Sequence, residues 1–289
     1  MKTRVITAVV GLALLAVVLA FFNTILFDLV LSAVCLIAIH EVFSAMGFGK
    51  KQWYLYAVAV PFTLLVMLTT SDAARALVLP VSFLVLLVLN ICQITHVQTL
   101  DFGKLAGYVY FSGVIIFCFY SLIHLKRMLP FEQYHYDAVY FILLTLCFAW
   151  GGDTAAYFAG RAFGKHKLAP VVSPHKTVEG AVGGVLGSIL AGILLTCVYA
   201  ALSSGYHVIS VQMRTTHYEV LLLMGAIASV LGILGDLFAS AVKRQAGIKD
   251  YGTISPATAA FWTVLTALCS LRPLWPSWCV ISSMCCKKG

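Results

Sequence analysis

The sequence predicts an all-α fold, a polytopic integral membrane protein of eight to nine transmembrane helices. Three observations predict it. The 289 residues are 61% hydrophobic and only 10% charged, the mean hydropathy is +0.97, and the charges sit in short clusters between long apolar runs. No water-soluble domain can hide that much apolar surface. The net charge of +8 reads as the asymmetry that orients membrane helices rather than as a nucleic-acid surface.

At about 20 apolar residues per span, helices fall at roughly 5 to 21, 24 to 46, 53 to 70, 76 to 94, 105 to 124, 137 to 159, 180 to 202 and 219 to 241. The first follows Met1-Lys2-Thr3-Arg4, lacks a clear small-residue cleavage site and runs into another apolar stretch, so it reads as a membrane helix and not a leader peptide. A ninth, near 257 to 284, is interrupted by Pro273 and Pro276. With Lys2 and Arg4 inside, the even-numbered helices return the chain to the cytoplasm. Lys50, Lys51, Lys104, Arg161, Lys165, Lys167, Lys176, Lys243, Arg244 and Lys249 then share that side, and only Arg75, Lys126, Arg127 and Arg214 oppose them. The nine cysteines form no C-x-x-C pair or Cys/His metal pattern, and most lie in apolar runs. The absence of internal repeats and linkers favours one integral domain over residues 1–289.

Two polar stretches stand out. "WGGDTAAYFAGRAFGKHKLAPVVSPHKTVEG", Trp150 to Gly180, begins inside an apolar run with Asp153, and a carboxylate at membrane depth is costly unless it faces a cavity, a cation or a partner. It continues into a loop carrying Arg161, Lys165, Lys167 and Lys176. Basic residues in such a loop also follow from topology alone. The mixture argues for more: lysines supply charge for phosphate, and Ser173, Lys176 and Thr177 stand just before a helix whose N-terminus favours anions. Gly180, Gly183, Gly184 and Gly187 then give that helix a small-residue face suited to close packing.

The second stretch, "LGILGDLFASAVKRQAGIKDYG", Leu231 to Gly252, carries Asp236 beside Gly235, then Lys243, Arg244, Lys249 and Asp250. A lone acid in a helix can be an interhelical hydrogen-bonding group. Two of them near one membrane face, each next to glycine and a basic loop, suit Mg2+ held by carboxylate and substrate phosphate oxygens. That is the equipment for phosphoryl or nucleotidyl chemistry on a membrane lipid. Lesser candidates are His40-Glu41 and Asp28, read as interface anchors or interhelical hydrogen bonds, Lys126-Arg127, read as a solvated loop, and His166 and His175, read as loop residues.

At these two stretches the chain resembles the phosphatidate cytidylyltransferases, or CDP-diacylglycerol synthases, densely from about 149 to 254 and loosely before that. Ser240 to Gly252 follows the run S-x-V-K-R-x-x-x-x-K-D-x-G. The resemblance divides the domain into N-terminal helices (1–148), a catalytic signature region (149–254) and an atypical tail (255–289). It implies transfer of a cytidylyl group from CTP to phosphatidate, with Mg2+ as cofactor and room for a second cation, in a multi-pass protein of the inner or plasma membrane whose active face is cytoplasmic. Asp236 matches a metal ligand and catalytic position; Lys243, Arg244, Lys249 and Asp250 match further catalytic positions. Ser173, Lys176, Thr177, Lys165, Lys167 and Asp153 are the substrate-binding candidates. The partners implied are CTP, phosphatidate and membrane lipids, with no nucleic acid and with room for a homodimer. A CTP-dependent lipid kinase, a cytidylyltransferase for another lipid phosphate, and an ion-coupled transporter using Asp153 and Asp236 are the competing readings.

After Ile254 the resemblance stops. The family signature continues roughly L-P-G-H-G-G-I-L-D-R-I-D-S, with D-R-x-D acids at the metal site, whereas this chain reads "SPATAAFWTVLTA", Ser255 to Ala267. The third base of each codon joined to the first two of the next defines a neighbouring frame. In it Phe261 into Trp262 must encode Leu and Trp262 into Thr263 must encode Asp, both as the signature requires, and every other overlap permits its residue. The tail is therefore expected to be a frameshift product, and the polypeptide as written to have very low activity.

Overall fold

The computed structural model describes residues 13, 15–69, 72–134, 136–206 and 215–245. Helix α1 is described over residues 15–20. It is followed by α2 (Ile25–Ala45), a 3-10 turn (Lys50–Gln52), α3 (Trp53–Leu68), α4 (Asp72–Thr95), α5 (Phe102–Met128), the single turn α6 (Phe131–Tyr134) and α7 (Asp137–Phe163). A hairpin of β1 (Lys167–Ala169) and β2 (Ser173–Thr177) then leads into α8 (Val178–Tyr206) and α9 (Thr215–Gln245). Seven helices among the described residues are long and apolar enough to cross a membrane, and the chain is an all-α multi-pass membrane protein. These seven coincide with the second to eighth expected spans to within a few residues. Most of the first expected span and all of the ninth lie outside the described residues.

The chain divides into two compact units, Met1–Met128 and Leu129–Gly289. In the first, α2 and α5 run antiparallel. At one end Lys126 Nζ donates to Asp28 Oδ1 at 2.9 Å and to the Thr24 carbonyl at 2.8 Å. At the other, the Met46 side chain lies against Gly107. The solvated-loop reading of Lys126-Arg127 is thereby corrected. Both residues belong to the last turn of α5, where Arg127 Nη2 reaches the Met67 carbonyl at 3.4 Å. Asp28 does make an interhelical bond, and so does His40, whose Nδ1 is hydrogen-bonded to the Tyr56 hydroxyl of α3. The ring of Phe43 packs 4.2 Å from that of Tyr56. Helix α4 keeps Leu79 and Ile94 outward at 79% and 74% exposure, as suits side chains solvated by lipid.

The second unit is built on small residues. Gly151, Ala155 and Ala159 of α7 oppose Ala191, Gly187 and Gly183 of α8, an antiparallel register in which one number rises by four as the other falls by four. A Cβ on Gly151, Gly187 or Gly183 would collide with the opposing alanine. The backbones thus approach to a distance that only hydrogen side chains allow, which is how helices gain van der Waals contact where no hydrophobic effect drives them together. Helix α9 joins through Ser188 Oγ, which donates to the Gly225 carbonyl at 3.1 Å. Far from the hairpin, the Tyr199 hydroxyl donates to buried Asp137 at 2.7 Å, and Tyr140 and Thr196 share a hydrogen bond of 2.8 Å. These four side chains thereby meet their hydrogen-bonding partners within the protein, as lipid requires.

Candidate functional site

The site begins where α7 ends. The Gly164 amide donates to the Gly160 carbonyl at 3.0 Å, and a Cβ at Gly164 would run into that carbonyl and into Thr177. Glycine thus lets the chain turn back against the start of α8. The segment read as a loop contains the β1–β2 hairpin. Lys167 pairs with Thr177 and Ala169 with Ser173, with an irregular register between them. Pro174 lies in that interval and has no amide to contribute to a ladder, which accounts for the slip.

Thr177 ends the hairpin and starts the helix. Its buried Oγ1 accepts the Gly180 amide at 3.1 Å, an N-cap that satisfies one of the open amides of α8. Immediately before it, Lys176 extends to α9, and its Nζ lies 2.5 Å from Asp236 Oδ2. This contact joins the two stretches that the sequence singled out. The pair is half open, with side-chain exposures of 28% and 36%. Asp153, one of the exposed residues of α7, lines a small cleft with Gly152, Gly184, Ser229 and Gly232. Gly232 stands one helical turn before Asp236, so α7 and α9 bring both acids toward the hairpin end of the unit.

The remaining candidates fall out as follows. Ser173 is half-buried in β2, and Lys165 and Lys167 are exposed at the hairpin base. Arg244 is exposed near the end of α9, Lys243 belongs to the same helix, and Lys249 and Asp250 lie outside the described residues. His166 and His175 are exposed residues of the connecting segment. Among the described residues no group of three or more His, Cys, Asp or Glu side chains is placed to hold a metal. Among the described residues the carboxylate beside the hairpin cations is Asp236, a hard oxygen donor that fits Mg2+ in the arrangement where phosphate oxygens and water complete the octahedron.

Sequence reasoning missed Glu179. Its Oε2 accepts the Lys165 amide at 3.1 Å and the His166 amide at 3.2 Å, while Oε1 meets His166 Nδ1 at 2.6 Å. A signal was available. An acid in the first helical turn, two residues after a capping threonine, is placed to meet amides and the helix dipole.

Seven long apolar helices, with a cation-bearing hairpin beside the Asp236 carboxylate, define a multi-pass membrane protein. The chain belongs to the cytidylyltransferase family, whose sequence model matches residues 2–258. It is 28% identical over 269 residues to the phosphatidate cytidylyltransferase of Haemophilus influenzae, covering 89% of this chain and 90% of that relative. It is also 33% identical over 175 residues to the Bacillus subtilis protein of the same name, covering 60% and 57%. With that of Staphylococcus haemolyticus it shares 39% over 120 residues, or 42% and 41%. The chain thus spans only about half, or less, of the length of the staphylococcal relatives it matches.

Proposed function

We propose that this protein transfers a cytidylyl group from CTP to phosphatidate, forming CDP-diacylglycerol and pyrophosphate for phospholipid synthesis. The observation that carries the reading is the Lys176–Asp236 pair, in which a phosphate-binding type of side chain meets a metal-binding type at the end of a membrane helix. A phosphatidate oxygen attacks the α-phosphorus of CTP in line, the bond to the β-phosphate oxygen breaks, and pyrophosphate leaves. Lys176, Lys165, Lys167 and Arg244 attract and orient the polyphosphate, and Ser173 offers a hydroxyl to it. Asp236 would hold Mg2+, which when bound offsets charge on the phosphates. Asp153 lines the neighbouring cleft, and Lys243 in the last turn of α9, with Lys249 and Asp250 further on in the sequence, adds to the polar stretch.

In this reading the hairpin faces the cytoplasm, where CTP is, and the protein resides in the inner or plasma membrane. The family match ends at residue 258, close to the change of composition after Ile254, which supports a tail translated out of frame and an impaired enzyme. The test is CTP- and Mg2+-dependent conversion of phosphatidate by the purified protein, beside a version with the frame restored. A cytidine-bearing lipid from the restored version, with far less from the chain as written, is expected. A lipid product that gains only phosphate, or no lipid product at all from the restored version, overturns the reading.

A further inference from the structure

Residues 164–166 lie between the end of α7 and the start of β1, so the amides of Lys165 and His166 have no partner along the helix or the ladder. The Gly164 amide still closes the last turn of α7 on the Gly160 carbonyl. The amides of Lys165 and His166 both point to one carboxylate, that of Glu179 in the first turn of α8, and the His166 ring adds a third contact. Two further ties close the same base. The Val178 amide donates to the His166 carbonyl at 2.9 Å, and Lys167 pairs with Thr177. Lys176 immediately precedes these ties, which fall on Thr177, Val178 and Glu179, and its reach to Asp236 depends on where β2 is held.

We propose that Glu179 is the positioning residue of the anion-binding hairpin: it staples the 164–166 turn to α8 and so keeps Lys176 at Asp236. The proposal rests on the reading of this site as a CTP site. Glu179 is only 25% exposed, and its two oxygens already receive the protein's own donors, so its contribution is geometry and not direct contact with the nucleotide. Partners that orient a binding group in this way typically change affinity by about 10- to 100-fold when removed. They act without the global unfolding that follows loss of a core residue.

The test uses the full chain in detergent micelles, with two readouts: hydrogen exchange at the amides of residues 165 and 166, and CTP affinity by calorimetry in the presence of Mg2+. In Glu179→Ala, exchange at both amides is expected to rise about tenfold and CTP to bind about tenfold more weakly. Glu179→Gln is expected to remain within about threefold on both, because one amide oxygen in place of Oε2 still accepts the two backbone donors. His166→Ala, which removes only the ring contact, should also stay within about threefold. CTP affinity in Glu179→Ala within twofold of the unmodified chain overturns the positioning role, and so does a Gln variant as weak as the Ala variant. If the unmodified chain binds no CTP, the same variants are compared in the frame-restored protein, and absence of CTP binding there too overturns the CTP-site reading together with this inference. Unchanged Ala-variant affinity beside normal binding by the unmodified chain sinks the inference alone.

Discussion

Two lysine–aspartate pairs, one in each unit, use the same chemistry to different ends. Lys126 and Asp28 are nearly sealed, at 14% and 10% side-chain exposure, and Lys126 spends a second donor on the Thr24 carbonyl. Lys176 and Asp236 are two to four times more exposed, at 28% and 36%, and link a hairpin that carries other cations to α9. A sealed pair cannot exchange partners without leaving a charge bare in an apolar surrounding. An open pair can release either member to a ligand at small cost, because water and counter-ions screen it. The first therefore fastens α2 to α5, and the second is the one open to a ligand.

Mutations can break or sharpen that contrast. The largest expected effect is Lys126→Met, which strands Asp28. It should cost about 3–5 kcal/mol and lower the melting midpoint in detergent by about 10 °C, whereas Lys176→Met should leave the midpoint nearly unmoved. Equal shifts would erase the distinction. Next, Asp236→Asn should lower the proposed cytidylyl transfer by about 10²- to 10³-fold in the frame-restored protein, again with little change in melting, as measured by labelled CTP incorporation into lipid. Gly187→Val tests the packing beneath the open pair. It drives a side chain into Ala155, and about 1–3 kcal/mol of destabilisation is expected, read from thermal unfolding. The smallest effect belongs to Tyr199→Phe at the far end of the same unit, where losing the bond to Asp137 should cost about 1 kcal/mol and leave CTP affinity unchanged.

The helices were legible because a membrane span needs only length and apolarity, both local properties. Their boundaries, such as 25–45 against an expected 24 to 46, followed almost directly. The glycine face of α8 was legible too, but its complement on α7, Gly151, Ala155 and Ala159, was not, since alanine in a helix announces no partner. Lys126-Arg127 misled because two adjacent cations at the end of an apolar run look the same whether water or a buried acid receives them. The hairpin stayed hidden because Pro170 and Pro174 read as loop residues, and the ladder pairs Lys167 with Thr177 and Ala169 with Ser173 across the turn.

By itself the sequence determined that this chain crosses the membrane many times and that its polar and charged residues gather in two stretches between apolar runs. The reason is that hydropathy and charge are sums over neighbours in the chain. Only the tertiary structure decided that Lys176 meets Asp236, that Glu179 holds the turn before the hairpin, and that Asp28 is a structural acid while Asp236 is an accessible one. Those outcomes depend on distances between residues 14 to 98 positions apart, which helix packing sets and residue type does not reveal.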